Sequence, residues 1–167
     1  NFFPPRRSSD LGTYDERKYI QNEERPGEFK KHDYVTGIHE VGSPAENVEK
    51  EMTELIAEVN SYMGIDALKA ATYLHARFEY IHPFADGNGR VGRTIMNYYL
   101  MTHNHPPIIV YEEDKRMYYE CLQKYDEAED INPLYDFLKY ETEKTWGRTL
   151  DLAKDMSQLR KGLSDFT

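Results

Sequence analysis

The stretch HPFADGNGRVGR, residues 82–93, gathers the side chains best suited to chemistry. Asp86, Gly87, Asn88 and Gly89 can turn tightly, because glycine takes left-handed backbone angles at little cost. Successive backbone N–H groups in such a turn form a concave nest for an anion. A helix beginning at Asn88–Gly89 points its unpaired N–H groups and the positive end of its dipole at the same spot. Arg90 and Arg93 lie one turn apart on that helix, with Asn97 a turn further on, all three expected on one side. Val91, Ile95 and Tyr98 are expected on the core side. Two guanidiniums beside a helix N-terminus suit a polyphosphate, since arginine offers fixed forked donors to phosphate oxygens. Asp86, at the mouth, suits Mg²⁺ held together with a nucleotide, because magnesium takes one or two protein carboxylates and completes its shell with phosphate oxygens and water. His82 titrates near neutrality and can take a proton from a hydroxyl. A base, a metal carboxylate and a phosphate cradle together describe hydroxyl attack on a nucleotide phosphate.

Positioning these groups takes two helices with a loop between them. Leu68, Ala71, Leu74, Phe78 and Ile81 recur at helical spacing and Asp66 is a fitting cap; Pro83 stops the helix and pushes His82 out of helical backbone space. The nest then opens the next helix, which runs to about Thr102, ahead of Pro106-Pro107. Before this pair, Ser43-Pro44-Ala45-Glu46 reads as a capping box for a helix carrying Val48, Met52, Leu55, Ile56 and Val59. After it, Ile108–Val110 is extended. A helix follows over about Asp114–Tyr125, with Met117, Cys121, Leu122 and Tyr125 on one face. Asn132-Pro133 starts a last long helix carrying Leu134, Phe137 and Leu138, with Trp146 and Leu150 further along the same face. Residues 28–42 hold short β-prone pieces around a Thr36-Gly37 turn and are expected to form a hairpin. The fold class is all-α, a helical bundle with a small β-hairpin.

Length and composition set the frame. The chain has 167 residues, one domain's worth, and its 39% apolar and 31% charged content excludes a membrane-embedded protein. A single cysteine, Cys121, leaves no internal disulfide and suits a reducing compartment. With no signal-like start, a cytoplasmic protein is expected. The net charge of −9 argues against binding nucleic acid through a basic face, so any anion must sit in a local pocket.

HPFADGNGRVGR resembles the signature of Fic-domain proteins, HPFx(D/E)GNGRxxR, at every fixed position. The resemblance extends outward through GEFKKHDYVTG, which is similar to the family's flap hairpin, and through NHPPIIV, RMYYECL and the Pro133–Trp146 helix. It covers roughly residues 26–150. The expected organisation is an irregular segment over 1–25, a Fic domain over 26–160 and a tail over 161–167. The resemblance implies a Fic-type bundle and protein adenylylation, the transfer of AMP from Mg·ATP to a Ser, Thr or Tyr hydroxyl of a target protein with release of pyrophosphate. By the same resemblance His82 is the base, Phe84 anchors the loop, and Asp86 binds magnesium. Gly87, Asn88 and Gly89 cradle the α/β-phosphates, Arg90 meets the β-phosphate and Arg93 the γ-phosphate. Val35, Thr36 and Gly37 would align the target chain by strand addition. Tyr118, Tyr119 and Leu122 resemble the adenine side of the site. Asp126 stands where some members carry asparagine, which leaves base preference open.

Many members carry an inhibitory helix of pattern Ser/Thr-x-x-x-Glu-Gly/Asn, and no match occurs here. The expected source of inhibition is a segment outside this sequence or a separate partner protein. The resemblance also favours a bacterial source. Alternatives stay open: transfer of another nucleotide or of a phosphate group, and a nucleotide-binding module without turnover. His75 is read as a packed core histidine, His103 and His105 as loop residues, and Cys121 as core.

Overall fold

The computed structural model of the chain describes residues 22–36 and 39–164. Its helices are α1 (Val48–Ser61), α2 (Ala67–Ile81), α3 (Asn88–Thr102), α4 (Lys115–Ala128) and α5 (Asn132–Ser164). Ahead of them β1 (Tyr34–Thr36) and β2 (His39–Val41) pair antiparallel, Tyr34 opposite Val41 and Thr36 opposite His39. The turn residue Gly37 lies outside the described residues. Among the described residues no helix is long and apolar enough to cross a membrane. Two compact units divide the chain, one of Asn1–Met63 with Arg77–Thr94, the other of Gly64–Ala76 with Ile95–Thr167.

In the first unit, α1 buries Val48, Met52, Leu55 and Val59, a stripe at helical spacing. Its entry differs from the capping box expected at Ser43. The Ser43 hydroxyl donates to the Glu51 carboxylate at 2.8 Å, and Arg77 holds the same oxygen at 3.2 Å. A charged acceptor outcompetes a local backbone partner for that hydroxyl. Asp33 takes over the cap, accepting the Ala45 N–H at 2.7 Å, and a short 3₁₀ turn (Ala45–Asn47) leads into α1. Phe84 packs between Phe29 and Phe78, with ring centroids 5.8 and 6.2 Å away.

The second unit has its own core, where Leu68, Leu100, Tyr118, Leu134, Phe137 and Leu138 meet. Asp66 caps α2 as expected, accepting the Lys69 N–H at 2.9 Å. Two helical phases differ from expectation. On the later part of α3, Met96 and Leu100 enter the core while Tyr98 stays on the surface. Asn97 is occupied by the extended segment: its amide donates to the Ile108 carbonyl at 3.0 Å and accepts the Ile108 N–H at 2.7 Å. An amide side chain thus completes the backbone bonding of a segment that pairs with no strand. On α4 the buried face is Tyr118, Cys121 and Tyr125, and Met117 is exposed. Among the described side chains of α5 the last buried one is Thr145; Trp146 and Leu150, expected on the core face, are exposed.

Candidate active site

The site is built where α2 ends. The N–H of His82 still reaches the Phe78 carbonyl at 3.0 Å, but His82 itself has φ +52, in left-handed space. Pro83 forbids a further helical residue at this point. A non-glycine residue there is strained by of order 1–3 kcal/mol and needs its neighbours to hold it. Its neighbours are held on both sides. The Ile81 carbonyl accepts the Ser43 N–H at 3.0 Å, and the Pro83 carbonyl accepts the Lys30 N–H at 2.8 Å.

Beyond Pro83 the loop is closed by Asn88. Its amide oxygen accepts the Phe84 N–H at 2.9 Å and its amide nitrogen donates to the Phe84 carbonyl at 2.7 Å. Asn88 is buried, so its side chain belongs to the loop and what it can offer an anion is its backbone N–H. Gly87 has φ +84, the left-handed turn expected of the nest, and the Val91 N–H closes onto its carbonyl to begin α3. Both arginines fold back over the glycines. A Cβ on Gly87 would lie 3.2 Å from an Arg90 guanidinium nitrogen, and one on Gly89 3.2 Å from an Arg93 nitrogen. Arg90 also meets Asp86 at 3.2 Å, an exposed ion pair of the kind that contributes about 0–1 kcal/mol and yields readily to a ligand.

His82 is half-buried. Burial pushes its pKa below the ordinary histidine value, and the Lys30 ammonium adds to this; the Glu79 backbone hydrogen bond and the Asp86 charge oppose it without reversing it. The imidazole is therefore neutral at pH 7, the state a base requires. Asp86 supplies one carboxylate. Among the described residues no cluster of three or more His, Cys, Asp or Glu could hold a metal alone. One carboxylate beside the Arg90 and Arg93 guanidiniums fits Mg²⁺ that arrives with a nucleotide.

His82, Asp86, Gly87, Asn88, Gly89, Arg90 and Arg93 thus come together in the first unit. Val35 and Thr36 lie on β1 of that unit. Tyr118, Tyr119 and Asp126 belong to α4 in the second. Tyr118 is fully buried, with its hydroxyl 2.7 Å from His75 Nε2. Tyr119 is 58% exposed, its ring centroid 5.1 Å from that of Tyr118. Of the pair, Tyr119 is the exposed ring and Tyr118 the buried one. His75 is the core histidine expected. Cys121 is buried, and its thiol faces the Pro133 carbonyl. His103 stacks on Tyr99, and His105 donates to the Pro106 carbonyl.

Two residues at the site were not legible as functional. Lys30 is only 3% exposed, and nothing in GEFKKH distinguishes it from the solvated Lys31 beside it. Gly42 reads as punctuation before Ser43-Pro44, yet it abuts His82.

The Fic/DOC family profile matches residues 12–100. A protein adenylyltransferase Fic of Aedes aegypti is 35% identical over 128 residues, which cover 75% of this chain and 24% of that protein. One of Drosophila persimilis is 33% identical over 135 residues, 79% of this chain and 26% of that protein. The chain spans about a quarter of the length of these curated relatives. Among solved structures, Fic-1 from C. elegans superposes with a TM-score of 0.68 at 26% identity, covering 78% of this chain and 38% of that one. A Fic-domain-containing signaling protein from Bacteroides thetaiotaomicron gives 0.60 at 26% identity, covering 72% and 51%.

Proposed function

The chain belongs to the Fic/DOC family, and from that premise we propose that it transfers AMP from ATP to a side-chain hydroxyl of a target protein. The observation that carries this is the arrangement at the α2–α3 junction: a glycine nest roofed by Arg90 and Arg93, with a neutral, half-buried His82 at the near end of the same loop. The triphosphate is bound by the backbone N–H groups of residues 87–89 and by the two guanidiniums. His82 takes the proton of the incoming hydroxyl. The hydroxyl oxygen bonds to the α-phosphorus, the α–β bridging bond breaks, and pyrophosphate departs with the electron pair. Asp86 would hold Mg²⁺, which, when bound, offsets charge on the phosphates. β1 offers the target backbone a strand edge at Val35–Thr36.

Intact glycines at 87 and 89 favour the AMP reading over transfer of the terminal phosphate. A side chain at either position would crowd a guanidinium and change how the triphosphate lies. The test is labelling of proteins in a cell extract with ATP carrying label at either the α or the γ phosphorus. Label is expected from the α position only, and His82→Ala should abolish it while circular dichroism stays unchanged. General-base catalysis is worth about 10²–10⁴ in rate, so full labelling by that variant would overturn the mechanism.

A further inference from the structure

We propose that Lys30, seated against Gly42, is a positioning residue for His82, and that position 42 is glycine because the seat leaves no room for a side chain. Three groups converge on one point beside the Gly42 Cα. A Cβ built there would overlap His82 Cβ, lie 2.6 Å from the Ile81 carbonyl oxygen, and lie 3.1 Å from Lys30 Nζ. Gly42 has φ +83, so its freedom from a side chain is required twice, by backbone angle and by space. Lysine is almost never so fully buried unless its charge is answered. Here Asp33, Glu51 and Glu24 are the surrounding acids, and the last carbonyl of α2, the negative end of a helix dipole, borders the same point beside Gly42. The main chain of the same residue donates to the Pro83 carbonyl at 2.8 Å. Lys30 therefore borders His82 twice, its ammonium at the Gly42 point that the His82 Cβ also lines and its backbone at Pro83.

The consequence goes beyond packing. Lys30 places a positive charge beside the imidazole, while Asp86 on the loop and the Glu79 backbone on α2 act the other way. Gly42 directly follows β2, so the hairpin and the base share a pivot. The meaning of this device rests on the transferase reading; its geometry does not.

The test is carbon-edited NMR of the His82 imidazole, assigned by its loss in His82→Gln and titrated in wild type, Lys30→Met, Lys30→Arg and Gly42→Ala. Lys30→Met keeps the stem and removes the charge, so the His82 midpoint should move upward; Lys30→Arg should restore it toward wild type. Gly42→Ala should displace the His82 resonance at fixed pH while the amide signals of α1 stay in place. A folded Lys30→Met with the wild-type midpoint, or a folded Gly42→Ala with an unmoved resonance, would overturn the proposal. If Lys30→Met does not fold, the Gly42→Ala outcome decides. Shifts as expected with no AMP transfer would remove the transferase reading and keep the positioning role. Transfer with no shifts would do the reverse.

Discussion

Asn88 stands in the middle of the turn proposed to bind phosphate, yet its side chain binds the protein. Both of its hydrogen bonds go to the backbone of Phe84, and the amide is buried. Cutting it to alanine leaves an N–H and a carbonyl without partners inside the loop, at about 1–3 kcal/mol for an unsatisfied buried group. Asn88→Ala should therefore lower the urea midpoint by an amount in that range, and it should loosen the turn that aims His82. Equal stability of the two proteins would show that water replaces the amide. At His82 the sign follows from burial, which disfavours the imidazolium. A histidine whose folded pKa is depressed binds fewer protons when folded than when unfolded. Its contribution to stability is full above the ordinary value of about 6.5 and is lost as pH falls below it. The same displacement keeps the base competent in mild acid. The acid limb of kcat/KM for AMP transfer should fall below pH 6.5, and a limb above that value would contradict the neutral, desolvated imidazole.

Elements carry the next level, and here the sequence was readable unevenly. The α2–loop–α3 junction was legible because each of its signals is local: a proline, a glycine turn, arginines at one-turn spacing. What escaped reading was longer in range. Ser43 looks like a cap, but its hydroxyl goes to the Glu51 carboxylate that Arg77 also holds, and Asp33 arrives from twelve residues away to take the role. Met96 and Leu100 are buried and Tyr98 is exposed because neighbouring chain, which periodicity does not see, decides which side of α3 is covered. The end of burial on α5 had the same cause. Glu141 is the sharpest case, a carboxyl fully buried on α5. Burial, then the facing Asp114, push its pKa up to about 7, with Lys144 opposing. The folded state thus holds this proton more tightly than the unfolded chain does. Its contribution to stability is complete below about pH 4.5 and is lost as pH rises through about 7. Glu141→Gln keeps a donor toward Asp114 without a titrating proton. At pH 8 it should be more stable than wild type by about 3 kcal/mol, given about 1.4 kcal/mol per unit of displacement. Urea unfolding at pH 5 and pH 8 measures this, and an unchanged pH slope would sink the assignment.

For the whole molecule the question is how a chain of net charge −9 would receive the polyanion of the proposed reaction. Arg90 and Arg93 act over a few ångströms, whereas the field of the remaining charges acts over the Debye length, about 8 Å at physiological salt and 30 Å at 0.01 M. In dilute buffer an approaching nucleotide meets the repulsive field first. Added salt screens that long-range part well before it weakens a guanidinium seated directly on a phosphate oxygen. Electrostatic attraction between protein and ligand makes association fall steeply with ionic strength; like charge must do the opposite. The association rate of a fluorescent ATP analogue with Mg²⁺, followed by stopped flow, should therefore rise between 10 and 150 mM salt. The dissociation rate should rise too, because local ion pairs are weakened, so affinity should change less than either rate. Reversing two exposed acids, for example Glu127→Lys with Asp130→Lys at the end of α4 and in the turn after it, should flatten the rise in the association rate. A rate that instead falls with salt in the wild-type chain would mean that the nest and its arginines already dominate the field at long range.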